Sequence, residues 1–225
     1  MTAEGFSPKP HFWTKTHEIL DKMALEYTLQ SIPHNCGLVD AARTNPEIGE
    51  FLELFGFADV SFEDLKFRAG DEVFARFVAE VKVIREANGG IEDRRLNIGN
   101  RWDALLYLLL EERRDGGRVG EYTWQSRAIC GGDIIGTSIS STRGVPIRLL
   151  SAYETKKVAG EFSSLDKEEI NEQFDLRKMV DAGVYGSGNG TAVLSIDVLK
   201  RDIERLTDFY ISAAANDEGV LTFCA

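Results

Sequence analysis

LNIGNRWDALLYLLL, Leu96 to Leu110, is the stretch whose reading decides the fold. Leu96, Ile98 and Asn100 lead into Arg101-Trp102-Asp103, and a continuous apolar block from Ala104 to Leu110 follows. A helix apolar on nearly all its sides belongs in an interior. Asn100 is placed to cap it by accepting a first-turn backbone N–H, and Asp103 to meet the positive end of the helix dipole. Trp102 and the leucines read as packing residues.

Amphipathic pieces lie on either side of this centre. Upstream, Leu25, Tyr27 and Leu29 alternate with polar residues until Pro33, which predicts a strand over Leu25 to Ile32. A short helix is expected over Thr14 to Met23, a second begins at Asn45-Pro46 and ends at Gly56, and a third runs from Asp71 to the Asn88-Gly89-Gly90 stop. Downstream, the glycines and serines between Asp115 and Gly144 read as a long surface connection. Val145 to Leu150 is a candidate strand, and Ser151 with Glu154 forms a capping box that opens a helix. Helices are predicted at Lys167 to Phe174, at Leu176 to Ala182, and along an apolar face from Ile196 to Ala213. Val220 to Cys224 is an apolar strand suited to a sheet interior. Strands near both ends with helices between them imply an α/β or α+β domain, and we take the α/β reading: a layered sandwich in which a mixed sheet is covered by helices, in a single domain.

The 225 residues include 43% hydrophobic and 28% charged, as an ordinary globular protein does. A formal charge of −11 disfavours a nucleic-acid surface; in the plainer reading, which we favour, it only maintains solubility, and in the sharper one it favours encounter with a basic protein. Cys36, Cys130 and Cys224 lack C-x-x-C spacing, so reduced thiols fit better than a disulfide framework or a zinc ribbon. No cationic leader precedes an apolar run, and Ala104 to Leu110 is too short to span a bilayer, which together predict a cytoplasmic protein with no membrane span.

Four motifs, in order and at similar spacing, resemble the YfbM-like family: Asn100-Arg101-Trp102-Asp103-Ala104-Leu105-Leu106-Tyr107, Ala128-Ile129-Cys130-Gly131-Gly132, Ile147-Arg148-Leu149-Leu150-Ser151-Ala152-Tyr153-Glu154, and Ala182-Gly183-Val184-Tyr185. The resemblance runs from about Met23 to Ala225, leaving residues 1–22 as an N-terminal extension and 23–225 as the YfbM-like domain. It implies a bacterial cytoplasmic α/β domain with no established role and no catalytic residues to transfer. Related sequences often carry a histidine where this chain has Leu106, so any task of that group is lacking here.

Candidate chemistry is sparse. His34 and Cys36 flank Asn35, but residues two apart in a turn seldom form a thiolate pair. His11 and His17 have no ligand-spaced partners for zinc. The Gly186 to Gly190 loop lacks a glycine at Thr191 and follows a helix, unlike a dinucleotide cradle. No cofactor or metal is implied. Arg101, Asp103, Arg127 and Arg143 beside Gly131 and Gly132 could converge on a cleft for a phosphorylated or nucleotide-like ligand. The competing reading, which we favour, has Arg101 and Asp103 pairing locally while Trp102 fills the core. Missing nucleophile, metal and cofactor patterns, together with the acidity, point instead to a non-enzymatic protein-binding module. An immunity or antitoxin type would fit, with Glu47, Glu50 and Glu53 offering a face to a basic partner. A scaffold self-associating through the N-terminal arm is a third reading, and the oligomeric state is open.

Overall fold

The computed structural model describes residues 26–34, 37–44, 72, 75–76, 78–79, 94–114, 123–135, 146–187 and 194–224. Five strands, β1 (Tyr27–Pro33), β2 (Arg95–Gly99), β3 (Asp133–Ile134), β4 (Arg148–Leu150) and β5 (Glu218–Cys224), form one sheet in the order β2-β1-β5-β4-β3. The apolar terminal segment takes the central position, and all seven residues of β5 are buried. Pairing aligns Leu29 with Leu96 and with Thr222, and Leu150 with Val220. Period-two alternation then sorts the side chains. Leu29, Leu96, Ile98, Leu150 and Val220 enter the main core, while Ile32, Leu221 and Phe223 are buried on the other face.

The helices are α1 (Gly37–Thr44), α2 (Trp102–Leu109), α3 (Glu111–Arg114), α4 (Trp124–Cys130), α5 (Ala152–Ser163), α6 (Lys167–Gln173), α7 (Leu176–Asp181) and α8 (Ile196–Ala215). In α2, Asp103 through Leu108 are all buried. Packing of α8 against α5 and of both against β5 places Leu199, Ile203, Leu206 and Tyr210 over the sheet. The Tyr210 hydroxyl donates to the Ala128 carbonyl at 2.6 Å and ties α8 to α4. Thr123, Asp166, Asp175 and Ser195 cap α4, α6, α7 and α8 through side-chain oxygens. At α5 the reciprocal Ser151–Glu154 box forms as its sequence predicts.

The α/β class and the helix-covered sheet stand. Where a mixed sheet is expected, every ladder among the described residues is antiparallel. Three local readings need correction. Asn100 is not the cap of α2, because the helix begins one residue later and Arg101 holds the cap position without a side-chain bond. Pro33 ends β1 as its last residue, opposite Glu218, instead of lying beyond it. The glycine-rich span after Asp115 contains α4, whose Ser126, Ala128 and Ile129 are buried, and the edge strand β3. The segments α1 and β2 were not anticipated. The helices expected over 14–23 and 45–56 lie outside the described residues, and of 71–90 only five positions are described, all helical.

Candidate functional site

Asp103, in the first turn of α2, meets the Arg113 guanidinium in a two-pronged ion pair, with Arg113 Nε donating to one carboxylate oxygen at 2.9 Å and an Nη donating to the other at 2.7 Å. Both side chains are largely buried, at 13% and 8% exposure for Arg113 and Asp103. The same carboxylate accepts the Tyr185 backbone N–H at 2.8 Å, and Arg113 donates onward to the carbonyls of Ala182 and Gly183. Hydrogen bonding to Asp103 raises the Arg113 pKa, so the guanidinium keeps its charge. Gly183 sits at φ +63°, a left-handed turn that lets the chain reverse after α7. Trp102 lies between Tyr27, with centroids 5.3 Å apart, and Tyr185, at 5.9 Å.

The other predicted arginines have separate partners. Arg101 pairs with buried Asp202 of α8, which also accepts from Arg205 at 3.3 Å. Arg127 pairs with Glu154, the capping-box residue, and reaches Asp133 at 3.3 Å. Beyond these, Arg94 pairs with Glu218 at the start of β5, both nearly sealed from solvent. So Arg101, Asp103 and Arg127 are each held in a different intramolecular pair. Arg143, Glu47, Glu50 and Glu53 lie outside the described residues.

Gly131 and Gly132 have a steric role. At Gly131, with φ +87°, an added Cβ would stand 2.6 Å from Arg148 Cβ and 2.8 Å from Thr222 Cβ. At Gly132 it would fall 2.1 Å from the Leu149 carbonyl oxygen, and the Gly132 carbonyl itself accepts from Arg148 at 3.2 Å. Only a chain without side chains can turn from α4 onto the sheet edge this closely.

Beneath that turn, the Tyr27 hydroxyl is hydrogen-bonded with the thiols of Cys130 and Cys224. Burial, reinforced by the Asp103 carboxylate, pushes the Cys130 thiol up to about 12. It stays protonated at neutral pH, the opposite of an activated nucleophile. Burial likewise raises Tyr27 well above its ordinary value. His34 is exposed and pairs with Asp217 at 3.0 Å, whereas Cys36 is not among the described residues. No three described His, Cys, Asp or Glu side chains are grouped as a metal requires. No described helix is long and apolar enough to cross a membrane.

Sequence reasoning missed a pocket of about 370 Å³ bordered by α2, α3, α4 and α6. Leu109, Trp124, Leu165 and Ile170 provide apolar lining, and Glu111, Asp166 and Glu169 provide carboxylates. Its described lining residues come from two stretches of the chain, 108–125 and 165–173, and no local spacing signals their meeting.

The family model described as a domain of unknown function (DUF1877) matches residues 48–223. That interval contains all four motifs on which the YfbM-like resemblance rests. No curated protein matches the chain. Among solved structures, the crystal structure of YfbM from Escherichia coli, a protein of unknown function, is similar at 17% identity and a TM-score of 0.49, covering 89% of this chain and 99% of that one.

Proposed function

The chain belongs to the DUF1877 family, whose description assigns no activity, and we propose that it is a non-enzymatic protein-binding module of the immunity or antitoxin type that receives a more basic protein on an acidic surface. The observation that carries this reading is where the charge lies. Arg94, Arg101, Arg113 and Arg127 are each neutralised by an internal carboxylate, so these pairs contribute nothing to the formal −11. The excess therefore belongs to the remainder of the chain, including exposed Glu168, Glu169 and Glu172 on α6. A surplus of that size speeds and orients the approach of a cationic partner, and salt screens it.

The test is affinity capture from native lysate with the purified full chain, followed by reconstitution with the purified captured protein. A basic protein that binds in equimolar ratio, with association slowed by added salt, supports the proposal. Recovery of only a small anionic metabolite, or a captured protein whose association is indifferent to salt, overturns it.

A further inference from the structure

We infer that the pocket bordered by α2, α3, α4 and α6 is a socket for an arginine side chain presented by the basic protein partner. The inference rests on the protein-binding reading above and gives it a location. At about 370 Å³ the pocket lies toward the small end of the roughly 300–1,000 Å³ typical of ligand sites and has ample room for an arginine side chain.

Its chemistry is two-sided. Leu109, Trp124, Leu165 and Ile170 form walls against which an aliphatic stem can lie. Glu111 and Glu169 are exposed at the pocket, and neither has an ion-pair partner among the described residues. Asp166 adds a third carboxylate, one oxygen of which caps α6 by accepting the Glu168 N–H at 2.9 Å. Among the described lining residues the one cation, Arg114, donates to the Leu108 carbonyl at 3.0 Å, and Gln125 donates to the Leu109 carbonyl at 3.2 Å. Those carbonyls belong to the last turn of α2, so the negative end of a helix dipole also borders the pocket. Carboxylates and dipole both select a cation. The aromatic wall then favours guanidinium over ammonium, because the planar, weakly hydrated group stacks on an indole and bonds carboxylates with two N–H groups at once. The Trp124 ring is braced for this by an edge contact with Phe162 at 5.2 Å.

The test uses the full chain, isotope-labelled, titrated with a capped Gly-Arg-Gly peptide and with its lysine and citrulline counterparts, while indole and backbone amide signals are followed by NMR. Saturable shifts at Trp124, Glu111 and Ile170 are expected with the arginine peptide, weaker ones with lysine and none with uncharged citrulline. The exposed double variant Glu111→Gln/Glu169→Gln should retain its melting temperature and bind the arginine peptide about tenfold less tightly. Shifts confined to other residues, equal responses to arginine and citrulline, or binding unchanged in the double variant overturn the socket. If a basic partner is captured and the double variant captures it equally well, the socket fails while the protein-binding reading stands.

Discussion

Replacing Asp103 with alanine should be among the most damaging single changes available in the described part of this chain. The substitution leaves the Arg113 guanidinium, 13% exposed, without its counter-charge, and removes the acceptor of the Tyr185 N–H. Breaking one side of a buried pair costs about 3–5 kcal/mol. Arg113 keeps the Ala182 and Gly183 carbonyls as acceptors, at 3.0 and 3.3 Å, which places the expected loss near the lower end, about 3 kcal/mol. With a urea dependence of about 2 kcal/mol per molar, the unfolding midpoint should fall by roughly 1.5 M. Equilibrium urea denaturation followed by circular dichroism measures this directly. The paired change Asp103→Leu with Arg113→Met removes both charges and should recover part of the loss, the orphaned-charge share, while the Tyr185 N–H stays without its acceptor. A midpoint shift below about 0.5 M for Asp103→Ala would refute the argument. So would strict additivity of Asp103→Ala and Arg113→Ala, which would mean that the two groups do not interact.

Trp102→Ala removes the ring held between Tyr27 and Tyr185 and should cost about 3 kcal/mol, read as a lowered melting temperature; an unchanged temperature would deny it a packing role. Glycines should respond with opposite signs. Gly131→Ala forces a Cβ against Arg148 and Thr222 in a left-handed backbone and should destabilise the chain by more than about 1 kcal/mol, whereas Gly160→Ala, in α5 with open space around it, should stabilise it by about 0.5–1 kcal/mol in the same denaturation assay. Alkaline pH should unfold the protein early. Burial raises Cys130, Tyr27 and Tyr210 in the folded state, so between about pH 9 and 12 the unfolded chain releases protons that the folded one retains. Stability is then full below the unfolded values and declines with rising pH by up to about 1.4 kcal/mol per unit for each group. Tyr210→Phe should make that decline shallower in a pH series of melting curves.

Elements with a complete local signature were legible in the sequence. The Ser151–Glu154 box, the apolar stripe of α8 and the Gly183 stop after α7 carry their own caps and periodicity, and each forms close to its expected place. Elements whose stability comes from tertiary contact were not. Strand β2 is five residues long and ends in glycine, and it exists because β1 offers a ladder to Leu96. Helix α4 hides in a glycine- and serine-rich span because only seven residues separate Thr123 from Gly131; its signal was the Thr123 cap and the buried Ala128-Ile129 pair, not a long amphipathic repeat. The strands' order and antiparallel sense depend on which chain segments meet, a matter that period-two alternation does not address.

The candidate site was legible in its residues and not in their partners. Arg101 and Asp103 stand two apart and look like one local pair, yet Arg101 reaches Asp202 on α8 and Asp103 reaches Arg113 and Tyr185. Coulomb attraction selects by distance in space, and such distances span up to 124 positions here, as between Arg94 and Glu218. The pattern of these contacts bears on the family motifs. The Asn100–Tyr107 segment is clamped to Ala182–Tyr185 through Asp103, while the Ala128–Gly132 segment is joined to Ile147–Glu154 by Arg148 on the Gly132 carbonyl and by the neighbouring Arg127 on Glu154. Each motif that marks the family thus closes a contact with another motif. Residue choice there is dictated by pairing and close approach, which any function placed on this scaffold would require. If this scaffold receives a protein as proposed, the residues that select it lie away from these motifs, and charge changes at the exposed Glu111 and Glu169 should alter binding without altering the melting temperature.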